Sequence, residues 1–356
     1  MRLQISVTTI LLILALGSVA LRSDAQCTDI KLETQTAVNK FRCTEAVENL
    51  IIQTNFFNQD PITNLDSLQN LVAASNVEIR GNNSLVSLDG LSNLRNVRKL
   101  TIAYNKSLMT LQGLNSIHSL DTLRIKANNQ LNDITNISNI KEIKNLYIIG
   151  NDELLELGNF DNLRSINTLM IRSVIKLQDI EGLRNLDSVN QLILTGNESL
   201  KNLNGLANLK YVTSLIVDTN EKISNLDSLS TLQSANTIII RNNNHLIDIS
   251  GLSRLVHLTS LNIVKNSALK YLDGMNNLGS VKDLFIQGNA SLTSIKGFSK
   301  LTNTSNLVIR NNPRLSICCG INALLKNDVI ERQIIQNNSG GCNSRKEILK
   351  SEVCSE

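Results

Sequence analysis

The chain has 356 residues, with 35 Lys and Arg against 31 Asp and Glu, giving a formal net charge of +4. A balance this even, with no Lys/Arg run, argues against a nucleic-acid binder. Hydrophobic residues make up 42%, enough for a continuous core, whereas aromatics are 3% with no Trp, which suits narrow layers filled by Leu and Ile.

Residues 1–25 read as a secretory signal peptide. Arg2 supplies a positive start, Ile5 to Ala20 is a short apolar stretch, and Ser23-Asp24-Ala25 ends in the small residue that cleavage requires. A lipid-modified Cys27 is the alternative, but Gln26 is large for the position before such a cysteine. No second apolar segment reaches membrane length, so no transmembrane segment is expected. Six cysteines remain: Cys27, Cys43, Cys318, Cys319, Cys342 and Cys354. An even number in an exported chain reads as structural disulfides. Proximity favours Cys27 with Cys43, and Cys318 and Cys319 with Cys342 and Cys354 in an order left open. The paired spacings of a zinc site are absent, so no metal or other cofactor is expected.

Residues 26–46 read as an N-terminal cap. The first copy of a repeat follows at Leu50-Ile-Ile-Gln-Thr-Asn55, and the next starts at Val77. The extra residues between them, around Phe56-Phe57-Asn58-Gln59-Asp60-Pro61, predict a bulging loop packed by its two Phe rings. From Val77 the step is a constant 23 residues, through Leu100, Leu123, Leu146, Leu169, Leu192, Leu215, Ile238, Leu261, Leu284 and Leu307. A fixed period of this size means a solenoid, in which each coil buries its core against its neighbours.

Counting each copy's first residue as position 0, apolar residues fall at 0, 2, 8, 11, 14, 17 and 20. Positions 0 and 2 alternate as in a strand. The later spacing of three is not that of a long α-helix and predicts extended chain or short 3₁₀ turns. Gly recurs at position 13, from Gly90 to Gly320, which suggests a tight corner with positive φ. Asn recurs at position 5, as Asn55, Asn82, Asn105, Asn128, Asn151, Asn197, Asn220, Asn243, Asn266, Asn289 and Asn312, with a gap at Val174. Asn tolerates left-handed backbone and bonds nearby peptide groups, so a structural ladder is expected, with a local irregularity at Val174. The solenoid spans 47–325, as about 12 coils, and 326–356 reads as a C-terminal cap pinned by disulfides.

The pattern of Leu192-Ile-Leu-Thr-Gly-Asn197, then Leu200, Leu203, Gly205-Leu206, Leu209 and Val212, resembles the receptor L-domain repeat. That resemblance implies a mainly β, right-handed parallel solenoid of leucine-rich-repeat-like type. It also implies a part in ligand recognition, as in the ectodomains of insulin and EGF receptors and in secreted bacterial surface proteins. Cys-rich modules, a membrane span and a kinase are missing, so signalling by this chain alone is not implied. Ordinary leucine-rich repeats of the internalin type are the alternative. The entry to the tail, Cys318-Cys319-Gly320, is similar to caps of bacterial surface proteins.

No catalytic set emerges, so the chain is read as a non-enzyme. His118, His245 and His257 fall at different repeat positions and do not converge. The outward acids Glu78 and Asp218 belong to distant copies, which rules out a paired-carboxylate geometry of glycoside-cleaving type. The outward residues carry the functional expectation instead. Position 1 reads Tyr147, Met170, Ile193, Ile216, Ile239, Asn262, Phe285 and Val308, an exposed apolar stripe flanked at position 3 by Arg80, Lys126, Arg172, Arg241 and Arg310. Of these, Tyr147, Met170, Ile193, Ile216, Ile239, Phe285, Arg172, Arg241 and Arg310 are the candidate ligand-binding residues. A protein or glycan partner at a secreted or cell-surface location is expected, with self-association of a structural or adhesive envelope protein as the alternative. Sequons at Asn82, Asn105, Asn136, Asn197, Asn289, Asn303 and Asn337 mostly follow from the repeat itself.

Overall fold

The structure is a computed structural model, described here for residues 27–43, 46–55, 57, 59–327 and 330–351. The proposed signal peptide, Phe56 and Cys354 lie outside those residues. Among the described residues one sheet runs through the chain in strictly sequential order, every pairing parallel. Its strands are β1 (Asp29–Leu32), β2 (Val47–Ile52), β3 (Ala73–Arg80), β4 (Asn96–Ala103), β5 (Ser119–Lys126), β6 (Glu142–Ile149) and β7 (Ser165–Arg172). They continue as β8 (Ser188–Thr195), β9 (Tyr211–Asp218), β10 (Thr237–Arg241), β11 (His257–Val264), β12 (Ser280–Gln287), β13 (Asn306–Arg310) and β14 (Arg332–Gln336). The short helices are α1 (Gln35–Asn39), α2 (Asn322–Lys326) and α3 (Arg345–Lys350). This is a mainly β, leucine-rich-repeat-like parallel solenoid. Fourteen strands at about 4.8 Å spacing give a stack of about 60 Å.

The strands are longer than the alternation at positions 0 and 2 implies. Most hold eight residues and start four before position 0. In β5 the burial order is exposed, buried, two half-buried, then buried Leu123 and Ile125. Two successive outward residues break the pleat's period of two. The first of them also drops out of the pairing: β5 and β6 pair at Leu120–Ile143 and Thr122–Asn145 but not at Asp121–Lys144. Each long strand therefore bends once, and the bend turns residues such as Arg98, Lys144 and Asn190 outward.

Opposite the sheet, 3₁₀ turns occupy positions 12–14 in most coils, as at Asp89–Leu91, Glu181–Leu183 and Asn204–Leu206. The glycine at position 13 sits there for a reason other than φ. A positive φ occurs in this series only at Gly113. In the others a Cβ would fall on a carbonyl of the preceding coil, that of Leu65 for Gly90 and of Ile180 for Gly205. Close coil-to-coil approach demands glycine.

The left-handed residue lies instead at position 4, just before the Asn: Gly81, Tyr104, Ala127, Gly150, Ser173, Gly196, Thr219, Asn242, Lys265, Gly288 and Asn311 all have φ between 51° and 69°. That turn points the Asn inward. Asn82, Asn105, Asn128 and Asn151 are fully buried, as are Asn197 to Asn312 in the series. Each amide reads two coils at once. Asn105 Nδ2 donates to Ile79 O (2.9 Å) and to Asn128 Oδ1 (3.1 Å), and the Asn105 backbone N–H donates to that same Oδ1 (3.0 Å). Asn55 does not belong. It is exposed, and Thr54 takes its place, its N–H and Oγ1 both donating to Asn82 Oδ1. At the other end Asn338 continues the ladder, accepting from Asn312 and donating to Ile309 O.

At Val174 the irregularity is confined to hydrogen bonding. Val174 is buried, its N–H still donates to Asn197 Oδ1 (3.1 Å), and β6 and β7 stay in register. It offers Asn151 no side-chain acceptor, and the Asn151 amide donates to Ile125 O, as elsewhere in the ladder, and to Ile149 O. The loop before β3 also differs from expectation. Phe57 is 93% exposed. The segment is held by polar contacts to α1: Thr36 N–H donates to Asp60 Oδ2 (2.8 Å) and Thr63 N–H to Gln35 Oε1 (2.8 Å). Hydrogen bonds from Thr36, its backbone N–H first, and from Thr34 favour the ionised form and hold the Asp60 carboxyl below its ordinary pKa. At the ends, Cys27 is bonded to Cys43 and Cys318 to Cys342, and Cys319 is disulfide-bonded as well.

Candidate recognition face

The repeat leaves little freedom at its inward positions, and the candidate residues lie on the sheet's outward side. Strict register stacks the outward residues into columns. In one column Arg124 of β5 lies beside Tyr147 of β6, then Met170, Ile193, Ile216, Ile239, Asn262, Phe285 and Val308 on successive strands. The expected stripe thus exists as one contiguous file. It is less open than expected. Tyr147 through Phe285 are half-buried and Val308 is buried at 4% exposure, because β-branched and aromatic neighbours about 4.8 Å apart cover one another.

The flanking cations are not equivalent. Arg172 is exposed on β7. Arg241 is committed to Asp218, with Nε at 2.9 Å from Oδ2. Arg310 is half-buried at the far end of the sheet, with its Nε sequestered from water. These three do not form one cluster.

A second group of cations gathers on β4 to β7. Arg98, Lys99 and Arg124 are exposed and Lys126 is half-buried. Arg124 lies over the Tyr147 ring, 4.7 Å from its centroid, and Lys126 lies 5.1 Å from that of Tyr104. Nearby acids are already engaged: Glu78 with Arg80 (3.1 Å) and Asp121 with Lys144 (2.6 Å). The Asp121 carboxyl is held below its ordinary pKa, chiefly by the hydrogen bond from Lys144 and further by the charges of Lys144, Arg98 and Lys99. Glu142, at the start of β6, is the remaining outward acid of these strands. From β8 to β11 the outward charges reduce to the Asp218–Arg241 pair. The face is therefore basic on β4 and β5 and apolar beyond them. Counting positions 1 and 3 reaches Arg124 and Lys126 but not Arg98, Lys99 and Lys144, which lie at the strand bend just before position 0.

Groups suited to catalysis stay apart. The three histidines are exposed, with His118 Nδ1 at 2.7 Å from Ser116 O and His257 Nδ1 at 2.8 Å from Ser280 Oγ. Among the described residues no three His, Cys, Asp or Glu side chains come together as a metal site, and no helix is long and apolar enough to cross a membrane.

Sheet topology and register define the class: a leucine-rich-repeat-like solenoid. No family model and no curated protein matches the sequence. Solved structures similar to it include an internalin from Listeria monocytogenes, 19% identical, with a TM-score of 0.47 over 89% of this chain and 86% of that one. A leucine-rich-repeat protein from Leptospira interrogans is 17% identical, with a TM-score of 0.45 over 85% and 82%. TLR13, in its complex with ssRNA13, is 15% identical, with a TM-score of 0.38 over 82% of this chain and 50% of that one.

Proposed function

We propose that the chain is a non-enzymatic, secreted or cell-surface recognition scaffold that binds a macromolecular partner across the outward face of its sheet. One observation carries this reading. Tyr147, Met170, Ile193, Ile216 and Ile239 stand side by side on five successive strands as one unbroken apolar file. A file of this length on an otherwise polar surface favours association. Disulfides near both ends of the described chain suit an oxidising location.

The test is the double substitution Ile193→Glu with Ile216→Glu. Both residues are half-buried on the open face, so the core is untouched and the coil stack is expected to fold with an unchanged circular dichroism spectrum. Binding of a glycan array and of peptide ligands should fall by at least about tenfold, the equivalent of about 1.4 kcal/mol. Unaltered binding by the folded variant sinks the reading. Light scattering of the same variant addresses the alternative, in which the file mediates self-association: a parent oligomer that the substitution dissolves points there.

A further inference from the structure

The column that holds the apolar file does not end at Tyr147. Its next member is Arg124, and around that residue the character of the face changes within two strands. We infer that the partner is a polypeptide whose binding segment is acidic where it crosses β4 and β5 and apolar where it crosses β7 to β10. This rests on the proposal that the outward face is the binding surface, and adds the partner's chemistry and direction.

Three observations support it. Arg98, Lys99, Arg124 and Lys126 on β4 and β5 have no ion-pair partner among the described residues, whereas Arg80 and Lys144 do. An excess of unpaired cations on one half of a surface raises the local concentration of anionic groups and rejects cationic ones. Next, Arg124 stands in the same column as the apolar file, with Lys126 beside it on β5 and Arg98 and Lys99 on the adjoining β4, so a single extended ligand lying across the strands meets both zones. A polysaccharide or nucleic acid has no apolar side chains with which to cover Met170, Ile193 and Ile216, whereas a polypeptide does. Finally, Arg124 and Lys126 lie over the rings of Tyr147 and Tyr104, covering a ring face on which sugars or bases would stack.

The experiment is selection of a random displayed peptide library on the immobilised chain beginning at Gln26, followed by affinity measurement on the selected peptides. Selected sequences should pair Asp or Glu with apolar residues. Their affinity should fall at least about tenfold in the triple variant Arg98→Glu, Arg124→Glu, Lys126→Glu. It should also fall as salt rises from about 0.1 M to about 1 M, where the Debye length shrinks from about 10 Å to about 3 Å. Reversal of Lys201, Lys222 and Lys270 to Glu, which changes net charge equally away from the sheet, should leave affinity unchanged. If the triple reversal destabilises the fold, Arg124→Gln with Lys126→Gln gives the same comparison with a smaller loss. Selected peptides without acidic enrichment, or with affinity indifferent to the triple reversal, overturn the inference. So does retention on immobilised heparin or a single-stranded oligonucleotide with no peptide enriched. Where Ile193→Glu with Ile216→Glu abolishes peptide binding and the charge reversal does not, the inference fails and the recognition face stands. Where neither substitution matters, both fail.

Discussion

A buried asparagine is costly unless its donors and acceptor are all engaged, and here the repeat engages them. Asn220 donates from Nδ2 to Leu194 O (2.9 Å) and receives the Asn197 N–H and Nδ2 on its Oδ1 (3.1 and 3.2 Å). Replacing it by Ala strands donors of Asn197 and the acceptor of Leu194 in a dry interior. Each such group costs about 1–3 kcal/mol, so Asn220→Ala is expected to lower unfolding stability by about 3 kcal/mol or more in denaturant titration. Burial also decides which sequons can carry sugar. Asn82, Asn105, Asn197 and Asn289 are fully buried, while Asn136 is half-buried and Asn303 and Asn337 are exposed. Expressed through a eukaryotic secretory route, the folded chain should carry glycans at Asn136, Asn303 and Asn337 alone by site mapping. A glycan on a ladder position of the folded protein contradicts this assignment. The Asn series was readable in the sequence because period and residue type coincide. That Asn55 stands outside it was not, since the Leu50 copy has the right letters and only the longer loop after it lets Thr54 take the inward place.

At the scale of one coil, sequence reads what is repeated and misses what is bent. Period-two alternation announced the strand core at positions 0 and 2, and triplet spacing announced the 3₁₀ turns. The bend in the two residues before position 0 has no apolar signature, because those outward residues are free to be Asn, Thr, Lys or Asp. Arg98 and Lys99 sit on that bend, whereas Arg124 and Lys126 stand at positions 1 and 3. Val174 shows the opposite case, a visible lapse with a small structural effect. Its Val174→Asn amide would face Ile148 O, the counterpart of the Ile125 O and Ile171 O that Asn151 and Asn197 use. It would also offer Asn151 the missing acceptor. Side-chain volume is nearly conserved, so the substitution is expected to stabilise the protein by about 1 kcal/mol, read as a raised Tm. A lowered Tm means that packing of the valine outweighs continuity of the ladder.

Over the whole molecule, each coil touches only its neighbours, and stability is a sum of coil and interface contributions. The ends have one neighbour each and depend on covalent closure. Cys27–Cys43 closes 16 residues and Cys318–Cys342 closes 24, each worth about 3 kcal/mol by loop entropy. Under a reductant, hydrogen exchange should accelerate in β1, β2, β13 and β14 while β7 to β9 keep their protection. Uniform loss of protection would mean that the stack unfolds as one unit. Fold class and coil length were legible from the period alone, because a solenoid writes its geometry once and copies it. The candidate recognition face was only partly legible: the apolar file follows from counting, but its half-buried state follows from neighbours shielding one another.

Exact register has a consequence for how such a surface can change. The basic zone and the apolar file are separated along the stack by whole strands, and each coil adds one increment of about 4.8 Å. Gain or loss of one complete 23-residue copy between them would shift the two zones by that increment and leave each intact, with no side chain rotated to the other face. The face behaves as a ruler with fixed graduations. The distance between the two halves of a partner's epitope can be matched by counting coils, independently of the residues that recognise either half.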